Sequence, residues 1–224
     1  GGGQRASGRW RADGGPVRPA GGVGPAGGPR FDQRVAPGGY LWWYVDGLSD
    51  DGAHAFTLIA FIGSVFSPYY ARARRREAAA DPERHCALNV ALYGAAGKRW
   101  AMTERGRGSL ERGADRLRIG PSSLAWDGEG LLIRCDEITA PWPSRIRGEI
   151  RVQPNQSPQR SFELDAAGRH QWTPIAPCAR VSVQLEQPRL DWQGHGYWDS
   201  NSGSEPLEDA FLDWDWSRTT ANDH

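Results

Sequence analysis

Short strand-like segments recur about every ten residues along most of the chain, and this spacing constrains the fold more than any other feature. Residues 40–48 and 54–65 are the clearest, because they are rich in aromatic and β-branched residues and flank a turn signal. Further segments lie at residues 86–93, 99–105, 117–119, 124–126, 131–138, 146–152, 161–164 and 179–185. Since these segments do not alternate with helical patterns, the sequence predicts an all-β, antiparallel sandwich or barrel.

The chain divides into regions of different composition. Residues 1–36 are rich in Gly, Pro, Ala and Arg and contain few large apolar side chains, which predicts a disordered N-terminal arm. The segment Pro-Trp-Pro at residues 141–143 predicts a break between two β lobes. The first lobe would then span residues 37–143 and the second residues 144–218.

Composition also limits the kinds of partner that the chain can have. With 27 basic and 27 acidic residues the formal net charge is zero, which argues against a nucleic-acid-binding protein. No segment resembles a signal peptide, and none reaches the roughly 18 consecutive apolar residues of a membrane span, so we expect a cytoplasmic protein. The widely spaced Cys86, Cys135 and Cys178 are typical of reduced thiols, and we expect them to fill space in the core.

Residues 69–80 combine two tyrosines with a run of arginines and predict a short helix that ends near Asp81. Aromatic and basic residues side by side suit an anionic membrane surface, and such a contact would make the protein peripheral. The alternative is a solvated connecting segment, because each charge contributes only about 1 kcal/mol at a membrane. The sequence alone favours the connecting segment.

Two clusters of polar and aromatic residues, at positions 169–172 and 194–199, contain the best candidates for chemistry. They bracket the alternating strand pattern that begins at residue 179. Asp199 follows two aromatic residues, so its surroundings would exclude water and raise the pKa of its carboxyl. Such an acid donates a proton near neutral pH. The competing interpretation is that Asp199 caps a turn.

Residues two apart on a strand point to the same face, which groups the candidate residues into pairs. Tyr197 would share a strand face with Asp199, where it could bind the carboxyl or a substrate. His170 would share a face with Trp172, so that the histidine relays a proton or positions water beside an aromatic wall. A half-exposed histidine at a turn is the alternative for His170. His195 lies between two glycines, and we expect it to belong to a turn.

Eleven tryptophans are many for a chain of 224 residues. Filling the core is the default role for six of them that lie in or beside predicted strands: Trp42, Trp43, Trp192, Trp198, Trp214 and Trp216. The alternative is that they line a cavity for a long apolar molecule, where ring faces stabilise a passing cation. The sequence contains no HExxH, CxxC, GxSxG, P-loop or dinucleotide fingerprint, so it predicts neither a metal site nor a cofactor site.

Several long motifs together carry a resemblance to a known family. They are PGGYLWWYVD at residues 37–46, FIGSVFSPYY at 61–70, CALNVALYG at 86–94, WAMTER at 100–105, the stretch 196–203 and WSR at 216–218. These motifs resemble those of the carotenoid 1,2-hydratases, or hydroxyneurosporene synthases, of photosynthetic bacteria. The resemblance extends over residues 37–218.

The resemblance implies a cofactor-independent lyase with a lipocalin-like fold in two β lobes. It would add water across the terminal carbon–carbon double bond of an acyclic carotene such as neurosporene or lycopene. The family's site residues correspond here to His170, Trp172, Tyr197 and Asp199. Asp199 would protonate the alkene, and Trp172 with Tyr197 would shelter the resulting tertiary cation. A water positioned by His170 would then add to the cation.

Some features depart from the family, and other functions stay open. The arm has no recognised counterpart, and family members continue well past the WSR motif, so we expect a truncated chain whose second lobe is incomplete. Residues 211–218 would then form an unpaired Trp-rich strand, followed by the tail 219–224.

The alternatives to a hydratase are a carrier that binds a carotenoid or another lipid without converting it, and a Trp-lined carbohydrate-binding sandwich.

Overall fold

The fold is almost entirely β-structure. The computed structural model describes residues 28–77, 79–94, 98–157 and 160–213. Its strands are β1 Tyr40–Ser49, β2 His54–Ile62, β3 Cys86–Gly94, β4 Arg99–Arg105, β5 Leu110–Arg112, β6 Arg116–Ile119, β7 Ser122–Trp126, β8 Leu131–Ile138, β9 Arg145–Pro154, β10 Phe162–Glu163, β11 His170–Gln187 and β12 Leu190–Gly203. Two short helices, α1 Pro68–Arg76 and α2 Leu207–Ala210, accompany them.

All strand pairs are antiparallel, in the order β4-β3-β2-β1-β12-β11-β9-β8-β7-β6-β5, with β10 added to β11. The sheet curls until β4 approaches the end of β8. The backbone N–H of Ala140 donates to the carbonyl of Trp100 at 3.0 Å, and Arg105 pairs with the buried Glu137 at 2.7 Å. The predicted all-β antiparallel barrel is therefore confirmed, in a nearly closed form.

The inner face of the curled sheet forms one apolar core. Its side chains come from nearly every long strand and include Leu41, Val45, Phe56, Leu58, Leu88, Val90, Ile133, Ile150, Val181 and Val183. Phe31 belongs to this core, because it is fully buried and its ring contacts Trp43 at 4.9 Å between centroids. The predicted disorder of residues 1–36 therefore does not extend to Phe31, whereas residues 1–27 lie outside the described residues.

Most predicted elements are confirmed within a few residues of their bounds. The predicted helix at residues 69–80 is α1, which begins one residue earlier because Pro68 occupies its first turn and Ser67 caps it. Among the described residues, no helix combines the length and the apolar character needed to cross a bilayer. Cys86 and Cys135 are buried as expected, but Cys178 is exposed, so its predicted place in the core was wrong.

The largest difference from the sequence prediction is β12, which was taken in part for a turn around His195. Gly194 and Gly196 suggested a flexible segment, yet both lie in the strand because close packing requires them. A Cβ atom on Gly194 would lie 1.9 Å from the carbonyl oxygen of Leu48, and one on Gly196 would lie 2.3 Å from Val181. The turn prediction for His195 was therefore wrong, and the residue points outward from a continuous strand.

Two further predictions concern the break at residues 141–143 and the C-terminal strand and tail at residues 211–224. Residues 141–143 lie in the turn between β8 and β9, which pair with each other in register. The division into lobes at residues 37–143 and 144–218 stays a prediction. Residues 211–213 follow α2 and are not a strand, and the rest of the predicted strand and the tail, residues 214–224, lie outside the described residues.

Candidate active site

Three adjacent strands place the candidate residues on the outer face of the sheet. In the middle strand, β12, Asp199 lies opposite Tyr44 of β1 and opposite Pro174 of β11. Directly opposed residues of antiparallel strands project to the same face, and alternate residues within each strand do so as well. Tyr197 and Asn201 therefore flank Asp199 on this face, as the period-two argument predicted for Tyr197.

The carboxyl of Asp199 is enclosed by hydrogen-bond donors. Its Oδ2 atom accepts from the Tyr197 hydroxyl at 2.8 Å and from the Trp172 indole N–H at 2.8 Å. Its Oδ1 atom accepts from the Asn201 amide at 3.3 Å. The residue is only 1% exposed, although it lies outside the main core. The structure thus brings Asp199, Tyr197 and Trp172 into direct contact.

The electrostatic balance at Asp199 produces an acid that titrates near neutral pH. Burial raises the pKa of its carboxyl from the ordinary 3.8 to about 7, because the anion loses hydration. The hydrogen bonds from Tyr197 and then Trp172 oppose this rise, since both stabilise the anion. The nearby negative charge of Asp46 contributes further to the rise. A substantial fraction of the carboxyl is therefore protonated at pH 7.

Asp46 and Tyr44 were not singled out from the sequence. Tyr44 donates its hydroxyl to Oδ2 of Asp46 at 3.1 Å, and its ring meets the Tyr197 ring edge-on at 6.1 Å. Burial, together with the charge of Asp46, raises the pKa of the Tyr44 phenol, so it stays protonated. The signal that could have found both residues is the alternation within the WWYVD motif, once β1 is known to pair with β12.

His170 lies at the start of β11, opposite Gly203, and is fully buried. Its Nδ1 atom is 2.8 Å from the Tyr40 hydroxyl, and its Nε2 atom is 3.3 Å from a carboxylate oxygen of Glu205. Because both ring nitrogens are already engaged, the geometry gives no support to a water held directly by His170. The alternative of a half-exposed turn residue is wrong, since the side chain has no exposed surface.

The candidate tryptophans lie on opposite faces of β1 and β12. Trp42 is on the same face as Asp199, opposite Asn201, and stacks on Tyr40 at 4.8 Å. Trp43 and Trp198 project to the inner face and are fully buried in the core. The structure therefore does not bring these two to the candidate site, because Trp198 is adjacent to Asp199 on β12 and Trp43 lies opposite Ser200, the next residue along that strand. Trp214 lies outside the described residues.

An aromatic wall surrounds the acid. The Trp172 ring stacks on Phe162 of β10 at 5.2 Å, and Trp42 meets Phe61 edge-on at 6.0 Å. Such surfaces exclude water and present ring faces to a developing positive charge. Within the part of the chain that the structure describes, no three His, Cys, Asp or Glu side chains are grouped closely enough to hold a metal ion. The arrangement can donate a proton beside an apolar molecule.

The chain is similar to known proteins over most of its length. Residues 58–224 match the family described as carotenoid hydratase CrtC. The chain is 65% identical over 216 residues to a protein of Thiocapsa roseopersicina named acyclic carotenoid 1,2-hydratase, an alignment that covers 96% of this chain and 53% of the relative. A protein of Rubrivivax gelatinosus with the same name is 60% identical over 198 residues, covering 88% of this chain and 49% of the relative.

A more distant relative extends the same pattern. A protein of Cereibacter sphaeroides, also named acyclic carotenoid 1,2-hydratase, is 43% identical over 162 residues, covering 72% of this chain and 56% of the relative. The chain spans about half the length of these curated relatives. Since the family match runs from residue 58 to residue 224, this chain belongs to the carotenoid hydratase CrtC family.

Proposed function

We propose that the face around Asp199 is the acid site of a carotenoid 1,2-hydratase. The observation that supports this proposal is an enclosed carboxyl with a pKa of about 7 that accepts from Tyr197 and Trp172 and forms no ion pair with the described residues. An unactivated alkene is a weak base, so its protonation needs a neutral acid in a place where water does not compete. The substrate class is an acyclic carotene, in keeping with the names of the relatives.

The proposed reaction uses the residues of this face and no cofactor. Asp199 transfers its proton to the less substituted carbon of the terminal double bond, and the neighbouring carbon becomes a tertiary cation. The Trp172 and Tyr197 rings lie beside the carboxyl and stabilise that cation through their faces. A water molecule then adds to the cation and loses a proton, giving a 1-hydroxycarotenoid. His170 supports the Tyr40–Trp42 stack rather than touching the reacting atoms.

The test is hydration of lycopene by the chain under anaerobic conditions, with 1-hydroxylycopene as the product. Replacing Asp199 with Asn removes the proton donor, and we expect the rate to fall by about 10²- to 10⁴-fold. Asp191→Asn, an exposed change on the same strand, is the matched control and should retain the parental rate. Bound but unchanged pigment in the parental chain would favour the carrier instead, and an active Asp199→Asn chain would contradict the role of the acid.

We also propose that α1 contacts an anionic membrane from which the substrate enters. Phe66, just before the helix, is 62% exposed, and Tyr69 in its first turn is 69% exposed. The Phe66 ring contacts Phe61 at 5.4 Å, and Phe61 in turn contacts Trp42 of the candidate site. A row of packed aromatic rings therefore leads from the exposed Phe66 through the buried Phe61 to Trp42, and basic residues of α1 lie beside its exposed end. A peripheral contact of this kind combines apolar insertion with attraction to lipid phosphates.

Vesicle co-sedimentation tests this contact. Changing the exposed Arg72, Arg75 and Arg76 to Gln removes three charges of about 1 kcal/mol each, so binding to phosphatidylglycerol vesicles should weaken roughly 100-fold. The matched control exchanges three exposed arginines on β8 and β9, namely Arg134, Arg145 and Arg147. Equal loss of binding in both variants would show that net charge acts alone and that α1 has no specific role.

A further inference from the structure

Asn201 has a buried amide oxygen that takes no part in the reaction steps proposed for Asp199. It lies two residues after Asp199 on β12, projects to the same face and is 5% exposed. Its Nδ2 atom donates to Oδ1 of Asp199, whereas its Oδ1 atom has no hydrogen-bond partner among the described residues. A buried amide oxygen without a partner is unfavourable unless a ligand satisfies it.

The surroundings of Asn201 select the kind of group that can satisfy this atom. The residues directly opposite are Trp42 on β1 and Trp172 on β11, and the Trp172 N–H is already bonded to Asp199. Turning the amide over would exchange its two ends but would still leave one polar end facing these aromatic walls. A small polar group that none of the described residues supplies would satisfy this atom. Water is the polar co-substrate of the proposed reaction.

The hydrogen bonds also determine which oxygen of Asp199 carries the acidic proton. Oδ2 accepts from both Tyr197 and Trp172, so its lone pairs are occupied by two donors. Oδ1 receives only the longer bond from Asn201, and a proton on Oδ1 leaves both shorter bonds intact. The acidic hydrogen therefore belongs on Oδ1, the oxygen beside Asn201. A water held by Asn201 is then adjacent to the atom that gives up the proton.

We propose that Asn201 holds the nucleophilic water beside Oδ1 of Asp199, so that one carboxyl both donates the proton and takes one back. This inference rests on the proposed hydratase function. The π electrons of the alkene form a C–H bond with the Oδ1 proton, which leaves a tertiary cation and a carboxylate. A lone pair of the water forms the C–O bond, and the proton released from that water returns to Oδ1. Alkene and water give the alcohol, and Asp199 is restored.

Isotope exchange separates proton transfer from water addition. In D₂O, the Asp199 carboxyl carries deuterium and delivers it to lycopene, and a cation that is not captured by water returns to an alkene that retains deuterium. In Asn201→Leu, which has the same branched arrangement of heavy atoms and no polar end, we expect hydration to fall about 100-fold or more while deuterium still enters the recovered carotene. Mass spectrometry of the carotene and of 1-hydroxylycopene gives both rates.

Three further variants complete the experiment. Asp199→Asn should lose both hydration and exchange, because no acid remains. Ser202→Ala, on the opposite face of β12, should keep both parental rates. Asn201→Ser retains a small polar group and should fold even where Leu does not. It should hydrate at an intermediate rate, with a raised ratio of exchange to hydration.

The outcomes distinguish this inference from the function on which it rests. A parental chain that neither hydrates nor exchanges contradicts the hydratase proposal, and the role of Asn201 with it. A parental chain that hydrates, together with Asn201 variants that keep the parental ratio of exchange to hydration, overturns the role of Asn201 alone. In that case the amide would act only by supporting Asp199. A raised ratio in both Asn201→Leu and Asn201→Ser supports the water-holding role.

Discussion

The buried acid should make the chain less stable at high pH, and Asp199→Asn should relieve this cost. In the folded state the carboxyl has a pKa of about 7, against an ordinary value of 3.8. Between these two values the unfolded chain releases a proton that the folded chain still holds, so the free energy of unfolding falls as pH rises. Above pH 7 both states are ionised and the difference stops growing. The penalty is therefore absent in strong acid and complete at pH 8.

The size of the effect follows from the two pKa values. They differ by about three units, and each unit corresponds to about 1.4 kcal/mol, so the full penalty is on the order of 4 kcal/mol. At pH 5 roughly 2 kcal/mol of it has appeared. Asn has almost the same shape as Asp, and its carbonyl can accept from Tyr197 and Trp172 as Oδ2 does now. The NH2 group of the substituted side chain would face Asn201. Rotating the Asn201 amide by half a turn presents its carbonyl oxygen, which can accept from that NH2 group.

Urea unfolding of the parental and Asp199→Asn chains at pH 5 and pH 8 measures this difference. We expect the variant to be more stable by about 2 kcal/mol at pH 5 and by about 4 kcal/mol at pH 8. Asp191→Asn removes an exposed carboxyl from the same strand and should show no such dependence on pH. The reasoning is refuted if the Asp199→Asn increment is the same at both pH values, or if the variant is less stable at pH 8.

Three other predictions concern the same face. If protonated Asp199 is the acid, kcat/KM for hydration should fall tenfold for each pH unit above about pH 7. Tyr197→Phe should move this fall to higher pH, because the variant loses the hydroxyl hydrogen bond that stabilises the Asp199 carboxylate. Asp46→Asn should move it to lower pH, and an unmoved profile would contradict the electrostatic coupling. Tyr40→Phe leaves His170 without one buried partner and should lower the free energy of unfolding by about 1–3 kcal/mol, measured in urea, without moving the profile.

The period of two was sufficient to predict part of the site from the sequence. Tyr197 and Asp199 are two residues apart on one strand, so their shared face follows from strand geometry alone. The desolvated carboxyl was likewise expected from its aromatic neighbours, and the pKa of about 7 agrees with that expectation. Local sequence therefore gives part of the chemistry of the acid, since Tyr197 on the same strand donates to the carboxyl, whereas Trp172 and Asp46 come from neighbouring strands.

The rest of the site depends on which strands are neighbours. Asp46 influences Asp199 because β1 pairs with β12, and the register of that pair joins segments separated by about 150 residues of chain. Asn201 was missed for a different reason. A turn cap at Asp199 was the competing interpretation, and the sequence did not predict that β12 continues past Asp199, which places Asn201 on the same face. The close contacts that require Gly194 and Gly196 within this strand likewise become visible only once the neighbouring strands are in place.

The two faces of β1 and β12 also bear on the choice between enzyme and carrier. A lipocalin-like carrier holds its ligand inside the barrel, which requires an apolar lumen that side chains do not fill. Here the inner face is packed by core residues that include Trp43 and Trp198. The enclosed acid and its aromatic wall lie on the outer face instead, where Trp42 and Trp172 frame Asn201. A carotene end bound on that face would meet a proton donor, and conversion rather than storage is what this arrangement favours.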